Sequence, residues 1–354
     1  MIQPISTFEL TSSQTTYLDA RMQAVSRSFA LVVPWLETPL NYYLATAYLL
    51  CRVVDNIEDC LQPTAWKRAR FSEAAQLLEL PDLTIDILAR WEREDWPGLT
   101  AGEAQLMGPT TGGPLWQIYA AIPTPSRRVI HRWVLEMITG MSRLDAPDQR
   151  PIFVEQQGIL LPAEEADYNQ YCYVVAGTVG HLATELVIEH YRLPDAAANT
   201  LLQTCEACDR GLQKTNIVKD FAEDLTRGAA YLPDEWLREV DYTPLALHGA
   251  PAGWSRKVLD NVLDELDQAT THVLALPYHT QGYRMAGLMC LLPALQTIRF
   301  AANRHDKLFT PEHQVKISRQ TMARCVWDAK SMVSDNDAVV RYTTKLKQEV
   351  QSKF

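Results

Sequence analysis

The feature that most constrains the fold is a stripe of three oxygen-bearing side chains on an apolar helix: Asn216, Asp220 and Asp224. Steps of four residues rotate by only about 40° around an α-helix, so the three side chains share one face. Apolar residues such as Ile217 and Phe221 occupy neighbouring positions. Carboxylates beside an apolar surface suit Mg²⁺, which prefers carboxylate, water and phosphate oxygens. A solvated acidic helix face explains this stretch, taken alone, equally well.

A second acidic motif weakens the solvated-face interpretation. Asp55 and Asp59 are again four residues apart, Glu58 lies between them, and Arg52 precedes Asp55 by one turn. Residues 41–54 are nearly all apolar or small, so we expect this helix to be buried. Buried carboxylates must be paired or bind metal. Two such helices can face each other across a cavity, with a Mg²⁺-bound diphosphate at its mouth and a hydrocarbon chain in its depth.

Composition and periodicity predict an all-α protein. Hydrophobic residues make up 47% of the 354 residues, enough for a large core, and strand-like alternation is essentially absent. We expect antiparallel helices around a central cavity. No flexible linker divides the chain, so we expect one catalytic domain over residues 1–354, with a flexible arm at residues 1–16. The segment 97–114 is rich in glycine and proline and is expected to be partly loop.

Charge and cysteine content predict the compartment and exclude some partners. The net charge of −10 argues against a nucleic-acid partner, because phosphate contacts need clustered lysine and arginine. The seven cysteines show no disulfide framework, which suits a reducing cytoplasm. No charge-free apolar run of about 20 residues is present, so no membrane-spanning helix is expected. We therefore expect a cytoplasmic protein whose membrane contact, if there is any, is peripheral.

Five motifs, taken in order, resemble those of the squalene/phytoene synthase family: Ser26–Ala30, Asp55–Asp59, Tyr171–Gly180, Leu212–Ile217 and Asn216–Asp224. The resemblance implies an isoprenoid-synthase-type helical bundle. It also implies Mg²⁺-dependent head-to-head condensation of two farnesyl diphosphates through presqualene diphosphate, with NADPH reduction, to squalene. A dehydrosqualene or phytoene synthase without the reductive step is the first alternative. Another class I terpene enzyme and a non-catalytic assembly factor of the same fold are more remote alternatives.

The resemblance also implies roles for individual residues. The expected metal ligands are Asp55, Glu58, Asp59, Asn216, Asp220 and Asp224. The expected catalytic residues are Tyr171, Tyr48 and Arg52. The expected substrate-binding residues are Ser26, Arg27, Phe29, Arg52, Val175, Val179, Leu212, Gln213 and Met289. Tyr173 remains a competing candidate for the catalytic phenol, and core packing explains any single apolar residue in the set equally well.

A basic stretch bears on the coenzyme. Val315–Arg319 is similar to a stretch of squalene synthases that phytoene synthases generally do not show. Lys316 and Arg319 are therefore expected to bind the 2′-phosphate of NADPH, because lysine and arginine supply charge and hydrogen-bond donors for phosphate. Composition alone favours a solvated basic loop. No glycine-rich dinucleotide fingerprint follows a strand, so binding of the Rossmann kind is not expected.

Overall fold

A computed structural model describes residues 8–26, 29–80, 84–144, 151–310 and 314–354. This part of the chain is dominated by helices, so the all-α prediction is confirmed. The helices are α1 (Ser12–Val25), α2 (Phe29–Val32), α3 (Leu40–Asp59), α4 (Thr64–Glu79), α5 (Thr84–Trp91), α6 (Ala101–Leu106), α7 (Pro109–Ala121), α8 (Thr124–Leu144), α9 (Glu165–Cys172), α10 (Thr178–Tyr191), α11 (Asp195–Thr226), α12 (Asp234–Arg238), α13 (Ala252–Ala275), α14 (Gln281–Ala302), α15 (Arg319–Met332) and α16 (Asn336–Gln351).

The described residues form two compact units. Unit 1 contains the chain up to Arg143 together with His181–Leu193. Unit 2 contains Leu144–Gly180 and Pro194–Phe354. The first acidic motif therefore belongs to unit 1 and the second to unit 2. The single catalytic domain expected from the sequence stays a prediction.

Helix α3 forms the core of unit 1. Leu49, Val53 and Ile57 recur at helical spacing and are almost fully buried. Asn56 is also fully buried and donates a hydrogen bond of 3.1 Å from its amide to the backbone carbonyl of Glu103. The apolar sequence before the first acidic motif thus buries this helix, as expected, and fixes the direction of its polar end.

Segment 97–114 is more helical than its composition predicts. Helix α6 begins with a capping box, in which Thr100 and Glu103 satisfy each other's backbone N–H groups. Helix α7 begins with Pro109, whose ring suits the first helical turn. A side chain at Gly112 would lie 2.2 Å from the Leu106 carbonyl oxygen, so glycine permits the close approach of these two helices. Local capping and tight packing outweigh the weak helix propensity of glycine.

A small hairpin in unit 2 is the main departure from helix. Strands β1 (Phe153–Gln156) and β2 (Ile159–Pro162) pair antiparallel, and Gln157 and Gly158 both have positive φ between them. Two positive φ angles in a two-residue loop suit the right-handed twist of paired strands. Leu160 also hydrogen-bonds in both directions with the chain at residues 228–230. The hairpin is thereby tied to the segment that follows α11.

Helix α11 is the long central element of unit 2 and packs against α13, α14 and a π-helical turn at Tyr173–Gly177. The fully buried Arg284 on α14 joins the ends of surrounding helices. Its guanidinium donates to the carbonyl oxygens of Val273 and Val333 at 2.9 and 2.7 Å, and to the side chain of Asn336 at 2.7 Å. Helix C-termini leave carbonyl groups without partners, and Arg284 satisfies three near such ends, those of Val273, Leu276 and Val333.

Two helical stretches, Glu165–Tyr191 and Gln281–Ala302, are long and apolar enough to cross a membrane by length and composition alone. Of their most apolar windows, 56% and 72%, respectively, are buried inside the protein. Core helices of soluble proteins meet the same criterion. The expectation of peripheral membrane contact stays a prediction.

Candidate functional site

The first acidic motif surrounds a single arginine in unit 1. The Arg52 guanidinium lies 3.5 Å from a carboxylate oxygen of Asp55 and 3.5 Å from one of Asp59. It also donates a short hydrogen bond to Glu103 at the start of α6. Three carboxylates therefore share one cation. Glu58 lies half-buried on the same helix, and its backbone carbonyl accepts a hydrogen bond from Lys67.

Burial and neighbouring charges give the carboxyl groups of this cluster different pKa values. Burial raises the pKa of Asp55 to about 7; Arg52 lowers it, and Asp59 raises it further. The Asp55 side chain nevertheless keeps 30% of its accessible surface, so it is enclosed by protein but remains within reach of a small ligand. Although burial opposes its charge, hydrogen bonds from Thr100 and the charge of Arg52 lower the pKa of Glu103. Carboxyls with divergent pKa values can take different roles in one site.

Glu103 is a residue that the sequence analysis missed. Its distance of 51 residues from Arg52 gives no local signal, because the contact depends on how α6 packs on α3. The one available signal was the capping pattern Thr100-x-x-Glu103, which predicts the start of a helix but not a contact with Arg52. Arg52, expected to bind phosphate, already contacts carboxylates, and its phosphate role stays a prediction.

The Ser26–Phe29 motif and Tyr48 come together in unit 1. The Ser26 hydroxyl accepts a hydrogen bond of 3.0 Å from the Phe29 amide. The rings of Phe29 and Tyr48 lie 4.9 Å apart. Burial raises the pKa of Tyr48, and a hydrogen bond with Ser26 lowers it. The remaining expected residue, Arg27, lies outside the described residues.

The second acidic motif lies on the last three turns of α11 in unit 2. Asn216 is exposed, and Asp220 and Asp224 are half-buried. The Asp220 carboxylate lies 2.7 Å from the ammonium of Lys219, a half-buried neighbour. Burial raises the pKa of Asp224 to about 7, and the charge of Asp220 raises it further, whereas Arg227 lowers it. The stripe predicted from the four-residue spacing is therefore present as one continuous helix face.

The donor chemistry of both motifs fits Mg²⁺. Each motif holds an aspartate whose pKa is raised by burial and by a second aspartate four residues away: Asp55 with Asp59, and Asp224 with Asp220. A cation between two such groups relieves their repulsion. Within the described ranges, no group of three or more His, Cys, Asp or Glu residues is arranged to hold a metal ion. Mg²⁺ commonly uses only one or two carboxylates and completes its shell with water and phosphate oxygens.

Tyr171 and Tyr173 occupy different environments in unit 2. Tyr171 lies in the last turn of α9 and is buried. Its ring stacks on that of Tyr231, with centroids 4.6 Å apart and planes nearly parallel. Phe153 of the hairpin packs edge-on against Tyr171 at 5.8 Å. Tyr173 begins the π-helical turn and is half-buried. The π turn separates α9 from α10, and such turns are frequent at functional sites.

The other residues that are expected to bind the substrate lie in unit 2, on α11 and on elements near it. Val175 is in the π turn and Val179 is in the first turn of α10. Leu212 and Gln213 are half-buried on α11, and Met289 is buried on α14. Their contact with substrate stays a prediction.

A buried ion-pair network supports the middle of α11. Lys214, 1% exposed, donates to Asn261 at 2.8 Å and to Glu265 at 3.0 Å, both on α13. Its ammonium also lies 5.0 Å from the centre of the Tyr168 ring. Sequence reasoning did not identify this network, although a lysine among apolar helix positions is a signal that it needs buried partners. The network fixes the rotation of α11 and hence the direction of the second acidic motif.

The basic stretch lies in unit 2, at the start of α15. Lys316 and Arg319 are both exposed. Ser318 caps the helix, since its hydroxyl accepts a hydrogen bond of 3.0 Å from the Thr321 amide. The backbone N–H groups of a helix start favour anions, which is compatible with a phosphate ligand. Binding of a coenzyme phosphate by these residues stays a prediction.

Curated proteins of two kinds are similar to the chain. A bifunctional lycopene cyclase/phytoene synthase of Podospora anserina is 24% identical over 277 residues, which is 74% of this chain and 43% of that protein. A squalene synthase of Eremothecium gossypii is 27% identical over 236 residues, 62% of this chain and 46% of that protein. The chain thus spans about half the length of the curated relatives it matches.

Solved structures show the same fold. The complex of TcSQS with the ligand BPH1237 aligns with a TM-score of 0.77 at 20% identity, covering 97% of this chain and 92% of that one. A dehydrosqualene synthase in complex with a ligand aligns with a TM-score of 0.57 at 19% identity, covering 90% and 96%. The sequence model named Squalene/phytoene synthase matches residues 22–321. The chain belongs to the squalene/phytoene synthase family.

Proposed function

We propose that the chain catalyses Mg²⁺-dependent head-to-head condensation of two farnesyl diphosphates through presqualene diphosphate, with reduction by NADPH, to squalene. The observation that carries the proposal is the pair of aspartate motifs, in which Asp55 and Asp224 each have a pKa of about 7. Their burial makes the charged form costly without a cation, and a Mg²⁺–diphosphate ligand supplies one. Membership in the squalene/phytoene synthase family supports the reaction class.

Each motif supplies the proposed metal ligands of its own unit. In unit 1, Asp55 and Asp59 would hold metal, with Glu58 on the same turn. In unit 2, Asp220 and Asp224 would do so, with Asn216 at the start of the stripe. Bound Mg²⁺ would neutralise the charge that develops on the diphosphate as its C–O bond breaks. These assignments follow from donor type and spacing on α3 and α11.

Arg52 adds a donor that can exchange partners. In the ligand-free protein it is shared by Asp55, Asp59 and Glu103. With Asp55 and Asp59 engaged by metal, the guanidinium would keep Glu103 and could direct its remaining N–H groups to phosphate oxygens. Glu103 thereby acts as a positioning residue for Arg52. Ser26 and Phe29, with Arg27 between them, extend the proposed substrate contacts in the same unit.

Tyr171 is the proposed proton carrier. Its buried ring contacts the rings of Tyr231 and Phe153, which fix its orientation. A positioned phenol can donate or accept a proton, and its ring face stabilises nearby positive charge. Tyr48, whose pKa is raised by burial, stays a neutral hydrogen-bond donor at physiological pH.

Reduction by NADPH is the step that distinguishes a squalene synthase from a dehydrosqualene or phytoene synthase. Lys316 and Arg319 would hold the 2′-phosphate of NADPH through charge and hydrogen bonds. A dehydrosqualene or phytoene synthase would instead end the reaction by losing a proton. Relatives with both names are found, so the distinction needs a measurement.

The decisive experiment is incubation with farnesyl diphosphate and Mg²⁺, with and without NADPH, followed by analysis of the hydrocarbon. Squalene formed only with NADPH supports the proposal, and dehydrosqualene at the same rate in both reactions supports the alternative. No product from any prenyl diphosphate, with released diphosphate at background level, would indicate the non-catalytic alternative.

A double variant tests the coenzyme residues. Lys316→Ala with Arg319→Ala should raise the KM for NADPH by at least about tenfold, because each phosphate contact by a charged donor contributes roughly 1.5–3 kcal/mol. It should leave presqualene diphosphate formation nearly unchanged. Lys330→Ala, which removes a cation near the other end of α15, is the matched control. Equal KM values for the double variant and control would remove these residues from the coenzyme site.

A further inference from the structure

Asp209 is a carboxyl without a partner inside unit 2. It lies on α11, and no hydrogen bond or ion pair to it is present among the residues that the structure describes. Burial alone raises its pKa to about 7. The side chain nevertheless keeps part of its accessible surface, and an enclosed group with accessible surface lines an internal hollow. A buried polar group without a partner in a native protein requires an explanation.

The hollow at Asp209 lies between α11 and α14. Cys208 on α11, and Tyr283 and Cys290 on α14, combine enclosure with accessible surface in the same way. Tyr283 and Cys290 are seven residues apart, so they share one face of α14. The charge of Asp209 adds to the effect of burial in raising the pKa values of all three residues, which places them near its carboxyl. The hollow is therefore lined by thiols and a phenol, with one acid.

Gly180 accommodates this acid. A Cβ atom at Gly180 would lie 2.6 Å from the Asp209 carboxylate oxygen and 2.6 Å from the Cys205 carbonyl oxygen. The start of α10 can therefore approach α11 only because residue 180 has no side chain. The space that a side chain at 180 would fill is occupied by the Asp209 carboxyl instead. Glycine and aspartate thus form a matched pair, and Asp209 is packed into a defined position.

Asp209 also continues the acidic stripe of α11. Asn216 and Asp220 follow it by seven and eleven residues, which rotates each by only about 20° from Asp209 around the helix. Along the axis, Asn216 is about 10 Å and Asp220 about 16 Å from Asp209. A ligand with its diphosphate near Asp220 and its chain along this face would pass Leu212 and end at Asp209.

We propose that Asp209, with Tyr283 beside it, is the polar end of the pocket that takes the isoprenyl chain and sets the length of chain that the protein accepts. This inference rests on the proposed function. An apolar chain that extended past Asp209 would remove water from a carboxyl that has no protein partner, which is costly. A shorter chain ends before the carboxyl and leaves it hydrated. Asp209 therefore selects by polarity, in addition to the volume that it fills.

Contact between the isoprenyl chain and Asp209 couples binding of the chain to protonation of this carboxyl. A hydrocarbon against Asp209 favours its uncharged form, so a chain that reaches the carboxyl binds with proton uptake and less tightly as the pH rises above 7. The nearby titratable groups do not interfere, since burial, with the charge of Asp209, raises the pKa of Cys290 to about 12 and those of Cys208 and Tyr283 well above their usual values.

Other titratable side chains lie near Asp209 on α11 and on the helices that pack against it. Glu206 and Arg210 of α11 pair with each other at 2.7 Å, and Arg210 also pairs with Glu265 of α13. Burial lowers the pKa of His272 on α13 to about 4, so it stays neutral. His181 follows Gly180 on α10, and its ring stacks on that of Trp133 with centroids 4.4 Å apart. Among the carboxyls named here, Asp209 is the one whose pKa burial raises to about 7.

Chain-length selection is the first test. Relative kcat/KM for 15- and 20-carbon prenyl diphosphates is measured for the wild type, Asp209→Ala and the control Glu206→Ala, which removes a half-exposed carboxylate one turn away. Asp209→Ala should shift the ratio towards the 20-carbon substrate by at least about tenfold, comparable to the discrimination that one or two methylene groups give. Glu206→Ala should keep the wild-type ratio. An active wild type with equal ratios in all three proteins overturns the inference.

Proton uptake is the second test and needs no turnover. Binding of an unreactive thiolodiphosphate analogue of the 20-carbon substrate, whose chain reaches Asp209, is measured by calorimetry at pH 7 in buffers of different ionisation enthalpy. A group at its pKa is half protonated before binding, so it can gain at most about half a proton. The proton uptake of wild type should therefore exceed that of the isosteric variant Asp209→Asn by as much as about half a proton. Identical uptake in the two proteins overturns the inference. A wild type that makes no hydrocarbon refutes the proposed function instead, so the two failures are distinguishable.

Discussion

The two acidic motifs have the same four-residue spacing but different surroundings. In unit 1, Asp55 and Asp59 share Arg52 with Glu103, so a fixed cation lies inside the cluster. In unit 2, Asp220 pairs with Lys219, its half-buried neighbour in sequence. The first motif is thus partly neutralised by a half-buried guanidinium that three carboxylates share, whereas Asp220 of the second motif pairs with a lysine on the same helix.

This difference indicates two ways to keep carboxylates ready for a metal. Asp55 and Asp224 reach the same pKa of about 7 by different balances of burial and charge. In unit 1, Arg52 offsets a large cost of burial, and Glu103 holds Arg52 in place. In unit 2, Arg227 and Lys219 offset part of the cost of burying Asp224. We expect the first motif to depend on its supporting residues and the second to depend mainly on its own ligands.

The largest expected effect is the loss of a ligand from either motif. Asp55→Asn or Asp220→Asn should reduce turnover by about a thousandfold or more while the protein stays folded, because each removes a charge that stabilises the leaving group through metal. Turnover is measured over a Mg²⁺ titration, with circular dichroism as the check on folding. Glu223→Gln, an exposed acid on α11 outside the stripe, is the matched control. A wild-type rate at limiting Mg²⁺ in either variant would disprove the metal assignment.

The next effect separates two phenols in unit 2. Tyr171→Phe should bind substrate but condense it about a hundredfold more slowly, as expected for loss of a positioned proton carrier. Tyr173→Phe should remain close to wild type. Single-turnover rates and binding of an unreactive analogue are measured for both. Similar losses in the two variants, or the reverse order, would contradict the role of Tyr171.

A smaller effect tests the dependence of the first motif on its support. Glu103→Gln keeps the shape of the side chain but removes the charge that holds Arg52, so we expect turnover to fall about tenfold. Without the negative charge of Glu103, the pKa of Asp55 should fall, and the acidic limb of kcat/KM should move to lower pH. Glu94→Gln removes an acid that pairs with Arg70 elsewhere in unit 1 and serves as the control. If the acidic limb does not move, Glu103 has only a structural role.

Much of the fold was predictable because the spacing of apolar and polar residues along the sequence determines which face of each helix is buried. The apolar spacing of α3 and the oxygen stripe of α11 each require one helix face, and both faces are present. Contacts between distant segments were not predictable. The approach of Glu103 to Arg52 depends on α6, which the glycine- and proline-rich composition concealed. Asp209 lies on the predicted stripe of α11, yet only the packing of α10 and α14 identifies it as buried.

The smallest expected effect concerns stability without metal. The folded-state pKa values of Asp55 and Asp224, about 7, lie above the unfolded value of about 4. The folded state therefore binds more protons than the unfolded state between these values. The stability that these groups contribute is fully present below pH 4 and is lost as the pH rises through 7. Removing either carboxylate charge should therefore increase the stability of the metal-free protein more at pH 8 than at pH 5.

The test compares the melting temperature of Asp55→Asn and Asp224→Asn with that of wild type at pH 5 and pH 8. Each difference should move in favour of the variant at pH 8 by a few degrees, since roughly 2 °C for each kcal/mol is typical of larger domains. Mg²⁺ with an unreactive diphosphate should cancel the gain, because only the wild type keeps both ligands of the motif. Comparing variants with wild type removes the opposite contribution of buried histidines such as His272. A gain that is independent of pH would mean that packing, and not carboxylate charge, is the cause.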